Sequence, residues 1–269
     1  VLPSEGRGRT FESSRARQIF TLPRLMGAPP VVSLVPYPDV TSAKSTPTSR
    51  ARPPARVIAW LLALVIAVAF AQEAVTITDA QIAKLATSFG PVAKERLTNW
   101  RTLMNNPKNK ALSDRQKLEL VNDFMNQTPF KSDKEHWGKE DYWATPIEFL
   151  STNGGDCEDF SIAKYFTLRA LGVPDDKLQI TYVKEIKVFN EAHMVLAYFA
   201  TPDAEPVILD NINKTIQPAS NRGDLVPVYS FNGSGLWLAK QQQGRGQSAG
   251  SSDRIGHWKD LQNRMKGAT

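Results

Sequence analysis

The chain has 269 residues, 41% hydrophobic and 22% charged, which is enough to bury a full core in one or two domains. Its net charge of +6 would suit a nucleic-acid partner, but residues 1–71 hold nine Lys/Arg against three Asp/Glu and so carry all of it, while residues 72–269 hold 24 of each sign. The globular part is neutral, so the electrostatic case for nucleic acid fails, and a single cysteine excludes an intramolecular disulfide and a multi-cysteine zinc site.

Residues 1–49 are rich in Arg, Pro, Ser and Thr without a steady apolar period, and read as a disordered extension or as sequence upstream of a mis-assigned start. Val57 to Phe70 follows, an uncharged apolar run of 14 residues preceded by Arg50, Arg52 and Arg56 and ending in Ala69-Phe70-Ala71. That layout is a secretory signal over residues 50–71, with cleavage after Ala71. An uncleaved membrane anchor is the alternative, although the run is short of the ~20 residues a span needs.

From Ile77 to about Met104 the apolar spacing is helical, with Thr78 or Asp79 as cap and a break at Gly90-Pro91. Ser113 and Gln116 form a capping box for a helix that stops before Thr128-Pro129. Residues 131–141 are a charged loop holding His136. Thr145 and Pro146 start a short helix. After the turn Asn153-Gly154-Gly155 comes a buried helix from Cys157 to Leu171, closed by Gly172 and Pro174. The period then changes to two: strands are expected over 179–188, 192–200, 207–211 and 226–231, then a polar linker at 241–252 and a helical stripe of Trp258, Leu261 and Met265 able to dock back. Helices first and an antiparallel meander second make an α+β fold.

The chemistry concentrates in GGDCED. Cys157 falls in the first turn of its helix, where unpaired N–H groups and the helix dipole favour a thiolate. Three acids beside it oppose one. Asp156 and Asp159 could be N-cap and capping-box partner. Alternatively Asp156, Glu158 and Asp159 could share a hard cation such as Ca2+, whose charge would offset theirs. A nucleophilic cysteine needs a base and a group to orient it. His136 and His257 lie in polar stretches, whereas His193 lies on a strand face with Val195 and Ala197, and Asp210 lies on the next strand, within reach of it. Gly154 and Gly155 would let a substrate backbone approach; Trp143 or Tyr142 would line its groove, unless Trp143 belongs to the core.

The run YWATPIEFL before GGDCED, with His193 and then LDN at 209–211, resembles the bacterial transglutaminase-like cysteine proteinases, the LapG family, over roughly residues 75–240. The resemblance implies a papain/transglutaminase-like fold in one domain over 72–269, with flexible linker 241–252. It implies a Cys157–His193–Asp210 triad and calcium dependence, with Asp156 and Glu158 matching the calcium-binding acids. It further implies a periplasmic endopeptidase that cuts large surface adhesins near their N-termini at an Ala-Ala-type site, releasing cells from a biofilm. An inner-membrane receptor for cyclic diguanylate would sequester it. A transglutaminase-type acyl transferase, or a non-catalytic receptor-binding domain of the same fold, are the alternatives.

Overall fold

Thr78, Ser113 and Thr145 each stand three residues before a Gln or Glu, and each starts a helix with a reciprocal capping box. These helices are α1 (Asp79–Phe89), α4 (Asp114–Met125) and α6 (Pro146–Thr152). The computed structural model describes residues 75–187, 190–238 and 244–267, so the extension and the leader expected over 1–71 lie outside the described residues. Gly90, at φ 85°, supplies the expected break between α1 and α2 (Pro91–Asn105). Two single turns follow elsewhere, α3 (Pro107–Lys110) and α5 (Asp133–His136).

Helix α7 (Cys157–Ala170) is central, and every residue from Cys157 to Tyr165 is buried. A helix covered on all sides must have its polar groups paired inside the protein. Accordingly Trp100 of α2 donates its indole N–H to Thr167 Oγ1 at 2.8 Å. The C-terminal stripe docks as expected: α8 (Gly256–Gly267) buries Trp258 and Leu261 completely, with Trp258 stacked on Phe166 and edge-on to Phe231.

Seven strands lie among the described residues: β1 (Leu178–Glu185), β2 (Ala192–Tyr198), β3 (Val207–Leu209), β4 (Gln217–Pro218), β5 (Leu225–Phe231), β6 (Leu236–Leu238) and β7 (Gln247–Gly250). They form one antiparallel sheet in the order β4-β3-β2-β1-β5-β6-β7. The expected meander holds for β1, β2 and β3, but β5 crosses to the free edge of β1. Within the stretch read as a flexible linker, Gln247–Gly250 pairs with β6 instead. Its Gln, Ser, Ala and Gly carry no apolar alternation, and pairing alone makes it a strand.

Alternation along the strands gives the sheet two apolar faces. Ile180, Met194, Leu196, Leu209 and Phe231 join the main core shared with the helices. Val183, Val195, Ala197, Phe199 and Ile208 form a smaller cluster on the opposite side. Among the described residues no helix is long and apolar enough to cross a membrane.

Candidate active site and cation site

Asp156, in extended conformation at φ −111°, is the N-cap of α7, and Asp159 Oδ2 accepts its amide at 3.3 Å, so the capping reading of these two acids holds. Cys157 is therefore the first residue of the helix, 6% exposed, with its Sγ donating to Glu158 Oε2 at 3.0 Å. At the glycines before it, the protein itself fills the space a side chain would take. A Cβ on Gly155 would fall 2.4 Å from Asp159 Oδ2 and 2.7 Å from Phe149, and one on Gly154 would fall 2.5 Å from the Lys131 side chain. Gly155 also accepts the Lys131 amide at 2.9 Å, pinning the turn to the 130–131 strand segment.

Trp143 packs in the core. It is 5% exposed and stacked between Phe231 and His257, at 5.6 Å from each. Tyr142 donates its hydroxyl to Glu148 at 2.9 Å and accepts from Arg264 of α8 at 2.7 Å; burial and the Glu148 charge push its pKa up to about 12. Both aromatics hold the C-terminal helix in place.

His193, near the start of β2, and Asp210, directly after β3, are brought together as the sequence reading expected. The imidazole Nε2 lies 2.9 Å from Asp210 Oδ1, and both side chains are buried. Oδ1 also accepts the Ile212 amide at 2.9 Å, and Oδ2 accepts from Arg222 Nη2 at 2.8 Å. Burial opposes ionisation of Asp210, but the hydrogen bonds and charge of these partners prevail and hold its carboxyl well below the usual carboxylate range.

Two ties connect this pair to the cysteine helix. Ser161, one turn after Cys157, donates to the Met194 carbonyl at 3.0 Å, which seats the first turns of α7 against the end of β2 that bears His193. Lys164 donates to the Asp210 carbonyl at 2.9 Å, and burial pushes its ammonium down to about 7. Asn126 of α4 donates to the same carbonyl at 3.0 Å. With Nε2 turned to Asp210, the other ring nitrogen of His193 is the one left to serve a thiol. The remaining histidines have other partners: His136 bonds Thr152 at 2.8 Å, and His257 stacks on Trp143 with its Nε2 3.6 Å from Asp141.

The acids of GGDCED meet two more from the charged stretch of residues 131–141. Asp133 and Asp141 come within 4.8 Å, carboxylate to carboxylate, of Glu158, and Asp133 stands as close to Asp156 and Asp159. Asp133, Asp156, Glu158 and Asp159 are each no more than 2% exposed. Burial, with the charges of Asp156 and Asp133, raises the Asp159 carboxyl well above its ordinary value. Crowded buried carboxylates are what a hard divalent cation neutralises, and an all-oxygen donor set of this size fits Ca2+. Asp133 and Asp141 bracket the turn ahead of Tyr142 and Trp143, but only the docking of that turn on α7 reveals them, through the Tyr142 amide donating to Asp133 Oδ2 at 2.7 Å and the Ala144 amide to Asp159 Oδ1 at 2.7 Å.

The profile of the bacterial transglutaminase-like cysteine proteinases (BTLCP) matches residues 95–241. A search of curated proteins finds no match. Solved structures of LapG from Legionella pneumophila are similar: the EGTA-treated form is 46% identical over 70% of this chain and 98% of that one, with a TM-score of 0.61. The calcium-bound form is 46% identical over 70% of this chain and 99% of that one, with a TM-score of 0.60. Profile and structures together place the chain in the bacterial transglutaminase-like cysteine proteinase family, with the α+β fold that family shares.

Proposed function

We propose that the protein is a calcium-dependent cysteine endopeptidase with Cys157 as nucleophile, His193 as general base and Asp210 as the residue that orients it. The observation that carries the reading is the buried His193–Asp210 pair, tied through Ser161 and Met194 to the helix that Cys157 begins.

In the reaction, His193 takes the Cys157 proton and the sulfur attacks a peptide carbonyl. Asp210, fixed on Nε2, keeps the ring's other nitrogen toward the reacting groups and stabilises the imidazolium that forms. Backbone N–H groups at the start of α7, that of Cys157 among them, receive the oxyanion. His193 then gives its proton to the leaving amine, and water, deprotonated in turn by His193, clears the thioester. Asp133, Asp141, Asp156, Glu158 and Asp159 are the residues that would hold Ca2+, which supplies positive charge to offset theirs. Glu158 shows why that matters: its carboxylate accepts from the sulfur at 3.0 Å, and an uncompensated negative charge there opposes the thiolate.

The substrate we propose is the N-terminal region of a large surface adhesin, cut in the periplasm after export, under an inner-membrane receptor that binds cyclic diguanylate. The substrate and its setting are what the resemblance to the family implies, and the calcium-bound relative supports the calcium part of the proposal. Incubating the protein with an adhesin N-terminal fragment tests it. One discrete cleavage in calcium, lost with chelator, is expected. Incorporation of an added small amine without cleavage would mark an acyl transferase instead, and an intact fragment under all conditions would overturn the reading.

A further inference from the structure

The triad's carboxylate has a cation of its own. Arg222 lies in the tight turn between β4 and β5, is 4% exposed, and donates Nη2 to Asp210 Oδ2 at 2.8 Å. Its Nε and Nη2 also clamp Asp224, at 3.0 and 2.7 Å. The guanidinium thus sits between two carboxylates, on the side of Asp210 away from His193. It also forms part of the wall of a cavity of about 830 Å³ on the outer face of the sheet, with Val183, Val195, Ile208 and Leu225.

We propose that Arg222 is a positioning residue of the catalytic apparatus, holding the Asp210 carboxylate in the plane His193 requires. The physical case is geometric. Asp210 follows the last residue of a three-residue strand, so backbone pairing alone fixes it weakly. His193 and the Ile212 amide both bind Oδ1 and leave Oδ2 free to swing; Arg222 anchors that second oxygen. A planar guanidinium fixes orientation as well as charge, which an ammonium on a flexible stem does not. Asp224 fixes Arg222 in turn.

The inference rests on the triad reading above, and its test does not need the natural substrate. The rate at which iodoacetamide alkylates Cys157 is measured at neutral pH in calcium for wild type and variants. Arg222→Ala is expected to slow it on the order of tenfold, because misplacing a base by a fraction of an ångström already costs that much. The deletion opens onto the cavity, so millimolar guanidinium chloride should restore the rate several-fold where equal sodium chloride does not. Arg222→Lys, which keeps the charge without the fork, should fall between and serves if the alanine variant does not fold. Asp224→Asn, which loosens Arg222 but leaves its bond to Asp210, should slow the rate less than Arg222→Ala does. An unslowed Arg222→Ala beside a slowed Asp210→Asn, or a slowed variant that guanidinium does not rescue, overturns the role of Arg222 alone. An unslowed Asp210→Asn overturns the triad reading with it.

Discussion

Two groups of buried carboxylates lie within one helix length of each other and have opposite fates. Asp159, crowded by Asp156 and Asp133, is held toward its protonated form. Asp210, also buried, is held firmly ionised. The difference is not burial, which raises both, but what each carboxylate faces. Asp210 meets an imidazole, a backbone amide and a guanidinium from its own chain. The cluster around Glu158 meets more carboxylates. One site carries its countercharge in covalent form, and the other, on the reading proposed above, takes its countercharge from outside. The proposed calcium requirement follows from that contrast: the fold would be complete without the ion, and the Cys157 thiolate would be favoured only with it.

Removing the sulfur gives the largest effect. Cys157→Ala should abolish cleavage, with circular dichroism unchanged because one small buried atom is lost next to a capped helix start. Retained cleavage would remove the cysteine from the chemistry. Next is Asp210→Asn, which leaves a side chain of the same shape but permits the wrong imidazole tautomer. A fall in kcat on the order of 10³ with little change in KM is expected from steady-state kinetics.

The acid cluster is expected to respond to the ion rather than to the substrate. Calcium at 100 times its Kd should stabilise the fold by about 2.7 kcal/mol, and chelator should reverse both that gain and the activity. Asp133→Asn sharpens the contrast, since Asp133 lies outside the GGDCED motif: calorimetry should show at least about tenfold weaker calcium binding. Unchanged binding would return Asp133 to a purely structural role as acceptor of the Tyr142 amide.

The smallest effect is the pH slope of stability, and the two carboxylates give it opposite signs. The Asp159 pKa is raised on folding, so without calcium the native state binds the extra proton. Stability should then fall as pH rises from about 4 through that raised value. Asp210 is depressed, so its contribution is present above about 4 and lost as pH falls below it. Urea titrations of the calcium-free protein should show the first slope, and Asp159→Asn should flatten it. A slope that survives the substitution would place the responsible group elsewhere.

The sequence made most of the site legible because its signals are local. Capping boxes at Thr78, Ser113 and Thr145 start helices where they stand, and Cys157 heads a helix because Asp156 caps it. The pairing of His193 with Asp210 was readable because adjacent strands of a hairpin align by register. What escaped was set by tertiary docking. Asp133 and Asp141 reach the cluster only when their loop folds onto α7, and Arg222 reaches Asp210 from a turn with no pattern of its own. The packing of Trp143, Gly154 and Gly155 was not readable, because an aromatic and two glycines near Cys157 suit a substrate groove and a tight core equally. Gly155 has no Cβ because Asp159 and Phe149 occupy that space. The crossing of β5 to the far edge of β1 is a choice of partner, which alternation within a strand does not encode.

The proposed chemistry requires the sulfur of Cys157 and the imidazole of His193 to work as a pair. A short bifunctional alkylating agent such as dibromoacetone, added to the calcium-loaded protein and followed by peptide mapping, measures that pairing directly. A single covalent bridge from Cys157 to His193 is the expected product. Cys157 alkylated at one end only, or bridged to His136 or His257, would contradict it.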